Sequence, residues 1–328
     1  MLKKVILPLA FAAAFSAFPA LATTHIQAPA GAAAAVAATL PPLIDVQALK
    51  AQLGRTDLRI LDIRADKDYA AGHIPGAINT PYGKYRGPQD NPGQLPAEAA
   101  LTELLQAAGV DADTQVVVVH GGASHTDFGA AARVYWTLKV GGLTRLSILD
   151  GGTKAWQAAG GALDSAAPAV ARSRFSYRYD QDQIVSGEEL AAALEAGQAP
   201  ALIDARPAKF YSGEVRVDAA ARYGTLPGAR SLDNARFFPE GGTTLKPAGE
   251  LKALVAQAGA ADAPAVSFCN TGHWAATNWF VMSEIAGNKQ VKLYPESIVG
   301  WSKSPLPMEN EPSRVTALIQ DVKRALDK

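Results

Sequence analysis

Cysteine is nearly absent: the 328 residues contain one, Cys269. No disulfide can close within the chain, and no cysteine-based metal cluster can be built. Histidine is scarce too. His25, His73, His120, His125 and His273 show no ligand spacing, so no metal site and no cofactor is expected. An excess of one charge is missing, since 31 Lys and Arg balance 31 Asp and Glu. With no basic run either, a nucleic-acid partner is not expected. Gly and Pro are not enriched enough to argue disorder, and 48% of the residues are hydrophobic, the composition of a globular chain. The length suits two ordinary domains.

Long apolar runs are missing except at the N-terminus. Lys3 and Lys4 precede an apolar stretch from Val5 to Phe18, and Ala20-Leu21-Ala22 fits the small-x-small cleavage rule. The stretch falls short of the roughly 20 residues that a comfortable membrane span needs. Residues 1–22 therefore read as a cleavable secretory leader, which predicts an exported, periplasmic protein with no stable membrane association after cleavage. Loss of Lys3 and Lys4 leaves 29 basic side chains against 31 acidic ones. A single thiol in an oxidising compartment is either buried and inert or reactive.

Residues 23–41, rich in Ala, read as a flexible lead-in. From there short apolar strands alternate with helical stretches, and the order is repeated. Ile60-Leu61-Asp62-Ile63-Arg64 returns as Leu202-Ile203-Asp204-Ala205-Arg206, and Ile74-Pro75-Gly76-Ala77 as Leu226-Pro227-Gly228-Ala229. The run Val116 to Val119 returns as Val266-Ser267-Phe268, and Trp156 as Trp301. Ala131-Ala132 is matched with Ala275-Ala276, which gives an offset of about 142 to 145 residues for most of the repeat. A duplicated α/β domain follows: two mostly parallel sheets, each flanked by helices on both faces. The predicted organisation is a first domain over 42–163, a linker over 164–183, a second domain over 184–308 and a C-terminal helix over 309–328.

Cys269 ends an apolar strand and opens the turn Asn270-Thr271-Gly272-His273-Trp274-Ala275, after which Thr277 to Ile285 reads as a helix. N–H groups curled around a sulfur stabilise a thiolate, and the same cradle accepts a sulfur oxyanion. Gly272 supplies conformations that other residues resist. Matching the helices sets His125 opposite Cys269, in a loop that reads as longer than its counterpart, so the first copy lacks a thiol. His125 is read as a polar loop residue near the domain interface. His273 is assigned either a cationic role toward the donor or a helix-capping role. Asp204 and Arg206 recur as Asp62 and Arg64, which favours a structural ion pair.

The ordered set Ile-Asp-Ala-Arg, Leu-Pro-Gly-Ala and a cysteine leading a six-residue loop into a helix resembles the tandem-domain rhodaneses, the thiosulfate and 3-mercaptopyruvate sulfurtransferases, here of an exported bacterial type. The resemblance implies two rhodanese-like domains, the second catalytic. It implies transfer of a sulfane sulfur from thiosulfate or 3-mercaptopyruvate to cyanide or a thiol through a Cys269 persulfide. It further implies a binding loop of Asn270, Thr271, Gly272, His273, Trp274 and Ala275, with Lys209 and Arg206 as basic candidates for the donor's charged end. The loop sequence matches neither the thiosulfate-preferring nor the mercaptopyruvate-preferring pattern. A phosphatase of related fold needs an arginine at the far end of the loop, where Trp274-Ala275-Ala276 stands. The remaining alternative is a sulfur carrier or partner-binding module without turnover.

Overall fold

The computed structural model describes residues 38–326 together with Met1, Leu2, Lys4, Val5 and Pro8. Most of the predicted leader and lead-in therefore lies outside the described residues, as do the last two residues of the predicted C-terminal helix. The chain divides after Ala38, and the fold is that of the larger unit, Thr39–Lys328. Among the described residues no helix is long and apolar enough to cross a membrane.

Within the larger unit two parallel sheets form. The first contains β1 (Leu43–Ile44), β2 (Leu58–Asp62), β3 (Ala77–Asn79), β4 (Gln115–Val119) and β5 (Leu146–Leu149), in spatial order β1-β5-β4-β2-β3. The second contains β6 (Ala201–Asp204), β7 (Arg230–Ser231), β8 (Ala265–Phe268) and β9 (Val291–Leu293), in order β7-β6-β8-β9. β4 and β8 are buried along their whole length, as central strands covered by helices on both faces must be.

The register of the sheets fixes how the copies correspond. Asp62 pairs with Val119 and Asp204 with Phe268, so the residues that follow, His120 and Cys269, are counterparts. The next turns agree: Thr153 and Lys154 donate to the carbonyls of His120 and Gly121, as Ile298 and Val299 do to those of Cys269 and Asn270. Helix His125–Val140 begins five residues after His120, and helix Trp274–Phe280 five after Cys269. This corrects the sequence alignment. His125 stands opposite Trp274, the two loops have equal length, and the Ala-Ala pairs are not equivalent. The composition of two buried helices is too uniform to set a register, whereas sheet hydrogen bonds set it exactly by residue. The predicted helix over 277–285 starts earlier, at Trp274, and passes into a π-helical turn over Val281–Ile285.

These two helices pack against each other, and their side chains merge the domains into one apolar core. Phe128 meets Phe280 and Phe238 edge-on, and Tyr135 meets Phe280 in the same way. The carboxyl ends of β4 and β8 therefore come to lie beside this seam, where ligands of parallel sheets bind. Trp156 and Trp301 occupy matching core positions, each donating its indole N–H to a carbonyl, of Ala162 and Pro307 respectively. The C-terminal helix Arg314–Leu326 lies with Asp321 against Arg216 and Tyr223 of the second domain.

Candidate active site at the domain seam

Cys269 is 1% exposed, and it lines a cavity of about 300 Å³. Asn270, Thr271, His273 and Trp274 line the cavity with it, joined by Val217 and Ala219 of the same domain and by Pro92 and Thr126 of the first. The loop is held at several points by hydrogen bonds. The Ser297 hydroxyl accepts the N–H groups of Cys269 (3.0 Å) and Gly272 (3.1 Å) and donates to the Tyr294 carbonyl. Ser297 does this from a left-handed backbone, φ 51°, where a side chain is normally disfavoured. Its structural counterpart is Gly152, φ 58°. The amides of Asn270, Thr271, His273, Trp274 and Ala275 are donated to no other backbone or side-chain group among the described residues. Gly272 is obligatory, because its φ is +68° and an added Cβ would press on Arg133 and the Pro295 carbonyl.

Cations of the first domain grip the loop from behind. Arg86 donates to the Thr271 carbonyl (2.9 Å). Arg133, fully buried, donates to the carbonyls of Gly272 (3.2 Å) and Gly93 (3.1 Å) and lies over the Trp136 ring. Burial lowers the Arg133 guanidinium to about 10, with Arg86 adding to the fall, so it stays cationic at neutral pH.

His273 takes neither of the roles assigned from the sequence. Its Nε2 faces the Thr126 carbonyl at 2.8 Å and its Nδ1 the Tyr82 hydroxyl at 2.8 Å. A carbonyl only accepts, so Nε2 carries the hydrogen and Nδ1 accepts from Tyr82. Burial, with Arg86 and Arg133 nearby, holds the imidazole down at about 3. It is neutral and makes no side-chain cap on its helix. Both nitrogens bind the first domain, so His273 is a cross-link between domains.

Arg206 and Asp204 form a buried pair, with Nε and Nη2 on the carboxylate, as Arg64 and Asp62 do in the first copy. Arg206 reaches the loop only through Asn270 Oδ1, at 3.4 Å, and does not line the cavity. Lys209 is exposed on the short helical turn Ala208–Tyr211 and is not part of the cavity wall. Ala275 is buried behind the loop, its carbonyl accepting from Ser267 Oγ. The structure thus gathers five of the residues singled out from the sequence around the cavity, Cys269, Asn270, Thr271, His273 and Trp274, and leaves Lys209 outside.

Sequence reasoning missed Ser297, Tyr82, Arg86, Arg133 and Thr126. Arg133 left a signal, a lone cation within the apolar stretch Ala130 to Trp136. Ser297 left one as well, once the turn Gly151-Gly152 before Trp156 and the turn Glu296-Ser297 before Trp301 are put in register. Tyr82, Arg86 and Thr126 left none, since only the folded pair of domains brings them to the loop. His125, on the seam, meets Phe238 of the second domain.

Two neutral histidines make stability acid-sensitive. Burial lowers His120 to about 4 and His273 to about 3, so between pH 6.5 and 4 the unfolded chain takes up protons that the native chain refuses. Stability falls as pH drops through this window. Asp150, which burial raises to about 6, works against this with one proton bound earlier by the native chain. The expected net loss from pH 7 to pH 5 is about 2 kcal/mol in urea unfolding. Equal stability at the two pH values would contradict it.

Comparison with known proteins agrees with this geometry. The pattern of the rhodanese-like domain matches residues 45–159 and 186–304. The chain is 28% identical to the mitochondrial thiosulfate/3-mercaptopyruvate sulfurtransferase 1 of Arabidopsis thaliana, across 89% of this chain and 84% of that protein. It is 27% identical to the 3-mercaptopyruvate sulfurtransferase of Escherichia coli K12, across 82% of this chain and 92% of that protein. The crystal structure of SseA from Escherichia coli superposes with a TM-score of 0.68 at 24% identity, covering 79% of this chain and 99% of that one. With two matched copies that together span most of its length, the chain belongs to the rhodanese family.

Proposed function

We propose that this protein is a sulfurtransferase that works through a Cys269 persulfide and takes 3-mercaptopyruvate in preference to thiosulfate. One observation carries the reading: the only thiol of the chain lines an interdomain cavity, on a loop whose carbonyls are tied back by cations and whose five remaining amides are left for an anion. The Cys269 thiolate attacks the thiol sulfur of 3-mercaptopyruvate. The carbon–sulfur bond of 3-mercaptopyruvate breaks, its electron pair goes to carbon as an enolate, and protonation gives pyruvate. Cyanide or a thiolate then attacks the outer sulfur of the persulfide and returns the Cys269 thiolate. Two displacements through a covalent intermediate give ping-pong kinetics.

The wall of the cavity supports the choice of donor. No Lys or Arg lines it, and Pro92, Val217 and Ala219 present apolar surface. Thiosulfate would bring two negative charges against that surface, whereas 3-mercaptopyruvate brings one carboxylate on a carbon skeleton. Thr126 Oγ1 already accepts from Trp274 Nε1 at 3.3 Å, which leaves its own hydrogen to donate to a keto or carboxylate oxygen. In steady-state cyanolysis the kcat/KM for 3-mercaptopyruvate is expected to exceed that for thiosulfate by about tenfold or more. A preference for thiosulfate would overturn the assignment. Absence of turnover with both donors, with a persulfide still detected by mass, would favour the carrier alternative.

Export belongs to the same proposal. Lys3, Lys4, the apolar stretch to Phe18 and Ala20-Leu21-Ala22 support a leader removed before Thr23. N-terminal sequencing of protein from a periplasmic fraction tests it, with Thr23 as the expected first residue and retained Met1 as the contrary result.

A further inference from the structure

A cavity of about 570 Å³, larger than the one at Cys269, lies in the first copy at the carboxyl end of its sheet. His120 lines it from the position equivalent to Cys269. The His120 ring is 1% exposed, and the Leu149 backbone acts on it without a close hydrogen bond at either nitrogen. Loss of the thiol has therefore not filled the site. It has changed its chemistry.

Two opposite charges face this space. Arg64 is held by Asp62 and the Gly72 carbonyl through Nε and Nη2, exactly as Arg206 is held by Asp204 and Gly224. Arg206 gives Nη1 to Asn270, but Gly121 stands at the corresponding place, so among the described residues no side chain takes a hydrogen bond from Nη1 of Arg64. On the other side Asp127 uses Oδ2 to accept the Ala123 N–H, which leaves Oδ1. A Cβ on Gly121 would sit 3.1 Å from Asp127 Oδ2 and 4.0 Å from Arg64 Cδ, so the glycine keeps open the gap between cation and anion. Asp68 adds a second carboxylate to the wall.

We propose that this cavity binds a small zwitterion of the α-amino acid class. Its carboxylate meets the Arg64 guanidinium, its ammonium meets Asp127 and Asp68, and the His120 imidazole turns toward its side chain. Asp62 already neutralises Arg64, so a cation alone would leave Nη1 without an acceptor, and an anion alone would leave Asp127 and Asp68 without a counterpart. The site also touches the catalytic loop, because Tyr82 lines it and donates to His273. Occupancy is thus placed to alter how firmly the loop is held.

Isothermal titration of the full chain with L-serine and glycine tests the proposal, with acetate and ethylamine as single-charge controls. Binding of the amino acids at millimolar concentration or tighter, at least tenfold better than either control, is expected. Gly121→Asn, which puts the active copy's residue into the gap, is expected to abolish that binding while cyanolysis continues. Asp127→Asn, which still accepts from Ala123, is expected to weaken it at least tenfold. No heat with either amino acid, equal binding of acetate or ethylamine, or unchanged binding by the Gly121→Asn chain would each overturn it.

Discussion

Cys269→Ser is expected to abolish sulfur transfer, with a fall of more than about 10⁴-fold in kcat for either donor. Serine is close in size to cysteine, so the fold and the two amides bound by Ser297 remain as they are. What disappears is a polarisable nucleophile able to hold a second sulfur. Mass spectrometry after incubation with donor should show one added sulfur atom on the wild-type chain and none on the variant. Because Cys269 is the only thiol, no other residue can imitate the signal. Turnover in Cys269→Ser, or an added sulfur on that chain, would remove the mechanism.

The second large effect concerns Ser297, whose hydroxyl holds both ends of the Cys269–Gly272 turn. Ser297→Ala leaves two buried N–H groups without an acceptor and keeps a Cβ at φ 51°, so it is expected to cost about 2–4 kcal/mol of stability. Ser297→Gly loses the same hydrogen bonds but relieves the left-handed strain, returning about 1 kcal/mol. The glycine variant should therefore be the more stable of the two in urea unfolding, against the usual order of glycine and alanine. Both should lose at least about tenfold in kcat, since the loop no longer holds the sulfur and the remaining amides in one geometry. Full activity in either would show that the loop is shaped by its other contacts alone.

The parts of this molecule that were legible in the sequence are those set by local pattern. Val116 to Val119 is apolar throughout and Ala265 to Phe268 apolar but for Ser267, and both end abruptly, so they read as covered parallel strands. Asp62-Ile63-Arg64 and Asp204-Ala205-Arg206 repeat because each ion pair closes its own turn, and the two tryptophans repeat for the same local reason. Cys269 was visible because nothing else in the chain has its chemistry. The helices that follow β4 and β8 were misaligned because alanine pairs recur in both and carry no register. His273 was misjudged because its partners, Tyr82 and Thr126, lie 191 and 147 residues earlier in the chain. A cation's role or a cap's role can be guessed from neighbours in sequence, but a contact across a domain seam cannot. Lys209 was selected for its charge close to a strand end, and the helical turn carries it outward.

The seam also decides what the duplication has become. Tyr82, Arg86, Thr126 and Arg133 all belong to the half without a thiol, yet they hold the loop of the half that has one. A gene fragment encoding only the later half would yield a chain whose Gly272 and Thr271 carbonyls had lost their guanidinium partners and whose Phe280 faced water. The ancestral event, once a redundancy, is no longer reversible by deletion.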